Sequence, residues 1–399
     1  MDSIFFYRNS ETPGPKGGRL QGLKIALQPN ISAAGWPTDA GSNALADFTA
    51  LEDATIVKRL REAGAFLCGS TRMSEFGLGL DGGKAGEALQ QKAADAELVL
   101  DRMGESRLAA SRAAVCGFKP SYGLVSQFGL IGLIPSMEAC GILSGDIGHI
   151  REILKAIAGQ DGLDFSLPEE ETPDFSPQKI DPEQTTIGVI TEAKSGLPAG
   201  QEAPFLSPIA ELKNYGFPLR EVSLPDFSLF SLVHKIVGSV EASSAAGRYD
   251  SVRYGRREPG ARNWNDMYVL SRGAAFGPLL KSYLLQGAFF QFERYEAFEN
   301  ACRIRARLLA DMTGLFSQAD FLVFPAADAV SSGAPASLGD IYAPFTSTLF
   351  ANVTGQPALY LPAAPGADQP GFQLAGPRLS DARLLALGEH LLNMRQGGN

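Results

Sequence analysis

Cysteine and histidine are scarce in this 399-residue chain, and each scarcity removes a class of function. The four cysteines, Cys68, Cys116, Cys140 and Cys302, lie far apart and form no CxxC pair. That excludes a compact structural zinc site and a disulfide framework, and leaves buried free thiols as the simplest reading of Cys68, Cys116 and Cys140. The three histidines, His149, His234 and His390, sit near neither one another nor a GxSxG elbow. A Ser-His-Asp triad or a His-based metal site is therefore not expected, and each histidine reads as a helix-surface or packing residue. Long apolar runs are missing too, none reaching the roughly 18 residues of a membrane span. The opening Met1 to Arg8 has neither a basic stretch nor a long apolar one, so a cytoplasmic protein is expected. Positive charge is in deficit, with 35 Lys and Arg against 44 Asp and Glu and a net charge of −9. Direct nucleic-acid binding and adhesion to anionic membranes both draw on clustered cations and are not expected.

What is present describes an ordinary globular chain rich in turns, 45% hydrophobic with 44 Gly and 25 Pro. Its pattern is of α/β type. Gly22 to Leu27 predicts a strand, 53–63 an amphipathic helix with Asp53 as N-cap and Gly64 at C′, and 65–68 a buried strand. Helix is predicted from Lys84 to Leu100 and from Ile147 to Ala158. The Pro- and Glu-rich stretch 164–186 reads as a surface connection, and 187–190 resumes the strand pattern. Two long helical segments, 227–246 and 277–316, are predicted on either side of a polar loop. In that loop Arg253, Arg256 and Arg257 read as solvated or internally paired. Further strands are expected at 321–325 and 358–362, and a last helix at 380–393 capped by Ser380 or Asp381.

One motif fails on inspection. Gly77-Leu-Gly79-Leu-Asp-Gly82 fits GxGxxG, but a dinucleotide fingerprint follows a strand directly and opens a helix. Here Thr71 to Phe76 intervenes with the look of a helical turn. Gly83-Lys84 has the wrong glycine spacing for a phosphate loop and no following Ser or Thr.

The informative stretch is Asp101-Arg-Met-Gly-Glu105-Ser-Arg107, followed by Cys116-Gly-Phe-Lys-Pro-Ser-Tyr-Gly123. It resembles the nucleophile segment of the amidase signature family, Asp-Thr-Gly-Gly-Ser-Ile-Arg and then Gly-Leu-Lys-Pro-Thr-Tyr-Gly. Ser239 to Gly255, Phe324-Pro325, Ala351 to Ala358 and Phe372 to Arg378 are similar to later family motifs in the correct order. The 239–255 run looks like the branch formed by the A subunits of glutamyl-tRNA(Gln) amidotransferases. The resemblance implies one α/β domain over 1–399, with a large mixed, mostly parallel sheet covered by helices on both sides. Within it, 1–163 would form a degenerate signature core and 187–399 a strand and helical cover with C-terminal core motifs, the 227–316 helices lying on the pocket side.

In that family a neutral lysine, a serine held by a cis peptide and a nucleophilic serine relay a proton, and backbone N–H groups hold the oxyanion. Such a relay is needed because an unactivated serine is a poor nucleophile. Carried over position by position, the lysine falls on Ser70, the cis serine on Asp81 and the nucleophile on Glu105, while Met103 replaces the first oxyanion-hole glycine. Part of the family segment between Phe76 and Asp81 is missing, and an early Lys-Asp-Asn has become Gln28-Pro-Asn30. Ser70 cannot serve as a base near neutral pH, and Asp81 cannot relay a proton as a hydroxyl does. Glu105 brings charge to where an oxyanion must form.

The leading expectation is a catalytically silent amidase-fold protein, acting as a scaffold, a regulatory subunit or a ligand binder. Met103, Gly104, Ser106 and Arg107 are the candidate pocket residues. The resemblance implies a small amide or amino-acid ligand and a protein partner subunit; it implies no metal and no cofactor. A second reading pairs Asp81 with Glu105, near Ser70 and Lys84, in a new carboxylate site for acid–base chemistry or a hard divalent metal. A third retains amidase or amidotransferase activity through Ser106 or Ser111.

Overall fold

The computed structural model describes residues 3–10, 17–195, 202–326, 334–364 and 371–397. Eleven strands form one sheet: β1 (Phe5–Arg8), β2 (Lys24–Leu27), β3 (Phe66–Thr71), β4 (Ala96–Asp101), β5 (Cys116–Lys119), β6 (Ala139–Ser144), β7 (Ile187–Ile190), β8 (Leu219–Val222), β9 (Phe321–Pro325), β10 (Ala358–Leu361) and β11 (Phe372–Ala375). Their spatial order is β1-β3-β2-β4-β6-β5-β10-β11-β9-β7-β8.

The sheet is mixed, as expected, but not mostly parallel. Parallel pairing is confined to β3-β2-β4 on one side and β9-β7-β8 on the other. The centre, β4-β6-β5-β10-β11-β9, is antiparallel throughout, and β1 adds an antiparallel edge. Strands buried on both faces read as continuous apolar runs whatever their direction, so the sequence signals burial and not polarity of pairing.

Helices cover both faces. On one lie α1 (Thr55–Glu62), α4 (Ile147–Ile157), α6 (Glu202–Asn214) and α13 (Asp381–Gly397), closing a core that includes Ile56, Leu60, Ile150, Leu154, Leu212 and Leu387. On the other lie α3 (Glu105–Ala113), α7 (Leu229–Ala245), α9 (Pro278–Phe292), α10 (Tyr295–Leu315) and α12 (Leu349–Thr354), over Leu108, Val233, Leu280, Leu308 and Phe350. The short α2 (Glu87–Gln90), α5 (Thr191–Ser195) and α11 (Leu338–Tyr342), together with α8 (Trp264–Ala275), complete the set. Among the described residues, no helix is long and apolar enough to cross a membrane.

Three local predictions are corrected. Asp53 does not cap α1: the N-cap is Ala54, and the Asp53 carboxylate instead accepts from the Ala34 N–H at 2.7 Å. Gly64 does occupy the left-handed position after the helix, with φ +87°. The 277–316 segment is two helices, parted at Arg294, whose ψ of 49° is not helical.

The third correction concerns 84–100, where only Glu87–Gln90 is helical and Ala96–Asp101 is a fully buried strand. The charged pattern misled because Glu97 points into the protein. Its carboxylate accepts from Thr71 Oγ1 at 2.6 Å and the Gly86 N–H at 2.7 Å. Burial pushes this carboxyl up from 4.5 to about 7, against those two donors. Between these values the native state binds more protons than the unfolded chain, so stability falls as pH rises through the window. Replacing Glu97 by Gln keeps an acceptor for Gly86 and turns the other contact round, since Thr71 can donate to the Leu27 carbonyl. In urea unfolding from pH 5 to 8, the parent is expected to lose on the order of 2–3 kcal/mol relative to Glu97→Gln. Parallel stability curves would show that Glu97 does not titrate there.

Candidate functional site

The turn 102–104 joins the C-terminal end of β4 to α3 under the centre of the sheet. Gly104 adopts φ +121°, and a Cβ there would lie 2.3 Å from Thr348 Oγ1. Only glycine fits, because the Thr348 hydroxyl approaches to donate to the Met103 carbonyl.

Two buried acids organise the turn in different ways. Asp101 Oδ2 accepts from the Ser106 N–H at 3.1 Å and from the Ser106 hydroxyl, while Oδ1 accepts from Asn352 Nδ2 at 2.8 Å. Arg107 stands beside it, 3.5 Å from Oδ1. Its guanidinium also donates to the Thr348 carbonyl at 2.9 Å, Gln373 Oε1 at 3.2 Å and Asn352 Oδ1 at 2.7 Å. Burial raises the Asp101 carboxyl, but Arg107 and the Ser106 and Asn352 donors outweigh it and hold the group below its usual range.

Glu105 is the first residue of α3, and its side chain folds back over the turn. Oε2 accepts from the N–H groups of Arg102 and Met103, both at 2.7 Å, and of Gly104 at 3.2 Å. The Arg102 Nε lies 3.8 Å from the other oxygen. These backbone donors at a helix N-terminus form a ready-made anion site. The chain's own carboxylate fills it. Burial pushes that carboxyl up to about 7, opposed by the Arg102 charge and raised further by Asp101.

A polar chain closes the turn from the side of α7. Burial pushes His234 down to about 3, so the ring is neutral near pH 7. Its Nε2 lies 3.0 Å from the Arg102 carbonyl, which can only accept, so Nε2 carries the proton. Nδ1 then accepts from the Tyr342 hydroxyl at 2.8 Å, which in turn accepts from Tyr283 at 3.1 Å.

Residues 7–86 and 104–385 match the family model described as Amidase. The chain belongs to the amidase family. It is 33% identical over 407 residues to the A subunit of glutamyl-tRNA(Gln) amidotransferase from Natronomonas pharaonis, covering 94% of this chain and 96% of that protein. The corresponding protein of Haloarcula marismortui is 31% identical over 418 residues, covering 96% and 98%. The crystal structure of the Thermotoga maritima counterpart superposes with a TM-score of 0.80 at 21% identity, over 96% of this chain and 86% of that one. That likeness shows the fold.

The residues picked out from the sequence differ in burial and setting in this amidase-family chain. Ser70 is 1% exposed on β3, between Tyr7 of β1 and Leu27 of β2. Asp81 is exposed on a loop and borders a cavity of about 40 Å³ with Leu78, Leu108, Arg112 and Phe345. Neither Ser70 nor Glu105 lines that cavity. Lys84 is occupied with Glu87 at 2.8 Å. Among the described residues, no group of three or more His, Cys, Asp and Glu is placed to hold a metal ion. Asp81 is a loop acid in solvent, whereas Glu105 is buried beneath the sheet.

Met103, Gly104, Ser106 and Arg107 are all buried, and none borders a described pocket. Ser106 and Arg107 serve Asp101, and Gly104 accommodates Thr348. Ser111 hydrogen-bonds with Tyr360. The 116–123 motif is also architectural: Lys119 donates to the carbonyls of Pro120 at 2.9 Å and Gln356 at 3.0 Å, and Ser121 Oγ donates to Asp381 at 2.5 Å. Sequence reasoning gave no site role to Arg102, His234, Tyr342, Thr348 or Asn352, although Arg102 and Asn352 lie in runs that resemble family motifs.

Proposed function

We propose that this chain is a non-catalytic amidase-fold protein, a single domain that serves as a scaffold or regulatory subunit for a protein partner. The observation that carries this reading is Glu105, whose carboxylate takes the N–H groups of Arg102, Met103 and Gly104. By the motif resemblance, an active family member would place its nucleophile at this position and draw oxyanion donors from the same turn. Here those donors are engaged, and an oxyanion about 4 Å from the ionised Glu105 carboxylate would be repelled by roughly 4 kcal/mol at an effective dielectric of 20. Ser70 at the position of the base and Asp81 at that of the relay serine support the same reading. Ser106, the next residue in sequence, already donates its hydroxyl to Asp101.

The partner is inferred from relatives named as one subunit of an amidotransferase. The purified protein is expected to release no ammonia from glutamine or simple amides above the Ser106→Ala and Ser111→Ala controls. Activity that disappears in either variant would overturn the proposal. Purification from the native host is expected to bring down one partner in stoichiometric amount, and a chain recovered alone would remove the scaffold role.

A further inference from the structure

The Arg-rich loop after α7 is used by nothing described so far. Residues 248–262 carry Arg248, Arg253, Arg256, Arg257 and Arg262 against only Asp250 and Glu258, on a chain whose net charge is −9. Most of these cations hold the loop in shape. Asp250 Oδ1 accepts from the N–H groups of Val252 and Arg253, both at 2.9 Å, and its other oxygen lies 3.5 Å from Arg253 Nε. Arg257 donates to the Ser251 carbonyl at 3.1 and 3.3 Å, Arg248 to the Ala245 carbonyl at 2.9 Å, and Arg262 to Asp266 at 2.8 Å. Arg256 has no such duty: among the described residues its guanidinium has no hydrogen-bond or ion-pair partner.

Arg256 borders a cavity of about 410 Å³ where the loop meets the turn 44–51. Its walls are largely apolar, formed by Leu45, Phe48, Leu51 and Tyr254, with Asp47 at the side and Arg253, whose charge Asp250 balances at 3.5 Å. Leu51 is 90% exposed, an unusual state for a leucine beside a concave apolar wall. Gly255 sets the closeness of the two walls, since at φ +92° a Cβ would lie 3.1 Å from the Ala44 carbonyl oxygen. A volume of this size, an apolar lining and an unengaged cation are the makings of a small-molecule site.

We propose that this cavity binds a small monocarboxylate with an apolar body, its carboxylate on Arg256 and its body against Phe48, Leu51 and Tyr254. The planar guanidinium matches a carboxylate in two parallel hydrogen bonds. Asp47 repels a second anionic group, so monoanions are preferred to dianions. The cavity shares no residue with the 101–107 turn, and the proposal holds whether or not that turn is silent.

The test is calorimetric titration of the full chain with 3-phenylpropanoate, 3-phenylpropanamide and phenylsuccinate. The monocarboxylate is expected to bind saturably, with the amide and the dicarboxylate each about tenfold weaker or more, the scale of one charge-assisted contact. Arg256→Gln is expected to erase the preference for carboxylate over amide, with an unchanged melting temperature because the side chain is exposed and unpaired. Leu51→Ser should weaken carboxylate and amide alike. No saturable binding of 3-phenylpropanoate at millimolar concentration would overturn the proposal. So would equal affinity for the amide, or undiminished carboxylate binding in Arg256→Gln.

Discussion

Arg107→Ala is expected to cost about 3–5 kcal/mol of folding stability, the range for breaking a buried ion pair from one side. Both Asp101 and Arg107 are fully buried. Removing the guanidinium leaves the Asp101 carboxylate without its counter-charge and deprives Thr348, Asn352 and Gln373 of a donor. Lysine should rescue little, since one ammonium cannot span acceptors that the planar fork reaches together. Urea unfolding supplies the measurement. The double variant Asp101→Asn/Arg107→Ala should recover part of the loss, because it no longer buries a lone charge. A single-variant cost under about 1 kcal/mol would mean that water reaches this pair.

Glu105→Ala should cost about 2–4 kcal/mol, since it strands the three backbone N–H groups of the turn beside a buried guanidinium. The vacated site is then an anion hole of the right size for a carboxylate. Formate or acetate at high millimolar concentration is expected to restore part of the lost stability in Glu105→Ala and none in the parent. Chloride at equal ionic strength is the control for screening. If formate does nothing, the turn has collapsed or is not organised around the Glu105 carboxylate. Glu105→Ser should behave like the alanine variant in stability and gain no amide hydrolysis, since Ser70 offers no base.

Legibility in the sequence followed the range of the interactions. Local signals located Gly64, the strands at 187–190 and 321–325, and the helix from Ile147, because glycine conformation and apolar periodicity are written within a few residues. Pairing direction was not legible, since a strand such as Ala139–Ser144 is buried on both faces in either arrangement. Glu97 failed for a different reason. Its charge made the 84–100 stretch read as a solvated helix, while its burial depends on donors that fold in from elsewhere in the chain, Thr71 and Gly86. Motif order pointed to the family, but it gave no hint that Ser106 and Arg107 face Asp101 rather than a pocket.

The antiparallel centre of the sheet has a consequence for how the chain is made. β5 pairs with β6 on one edge and with β10 on the other, so the second edge of 116–119 is completed only at 358–360. The Asp101–Arg107 pair likewise waits for Thr348, Asn352 and Gln373. On the ribosome, the first third of the protein must therefore linger with an open strand edge and an unsheltered charge pair until most of the chain has emerged. Such a chain gains its stability late and all at once, and its dependence on chaperones during synthesis should exceed that of a protein of equal size built from local pairings.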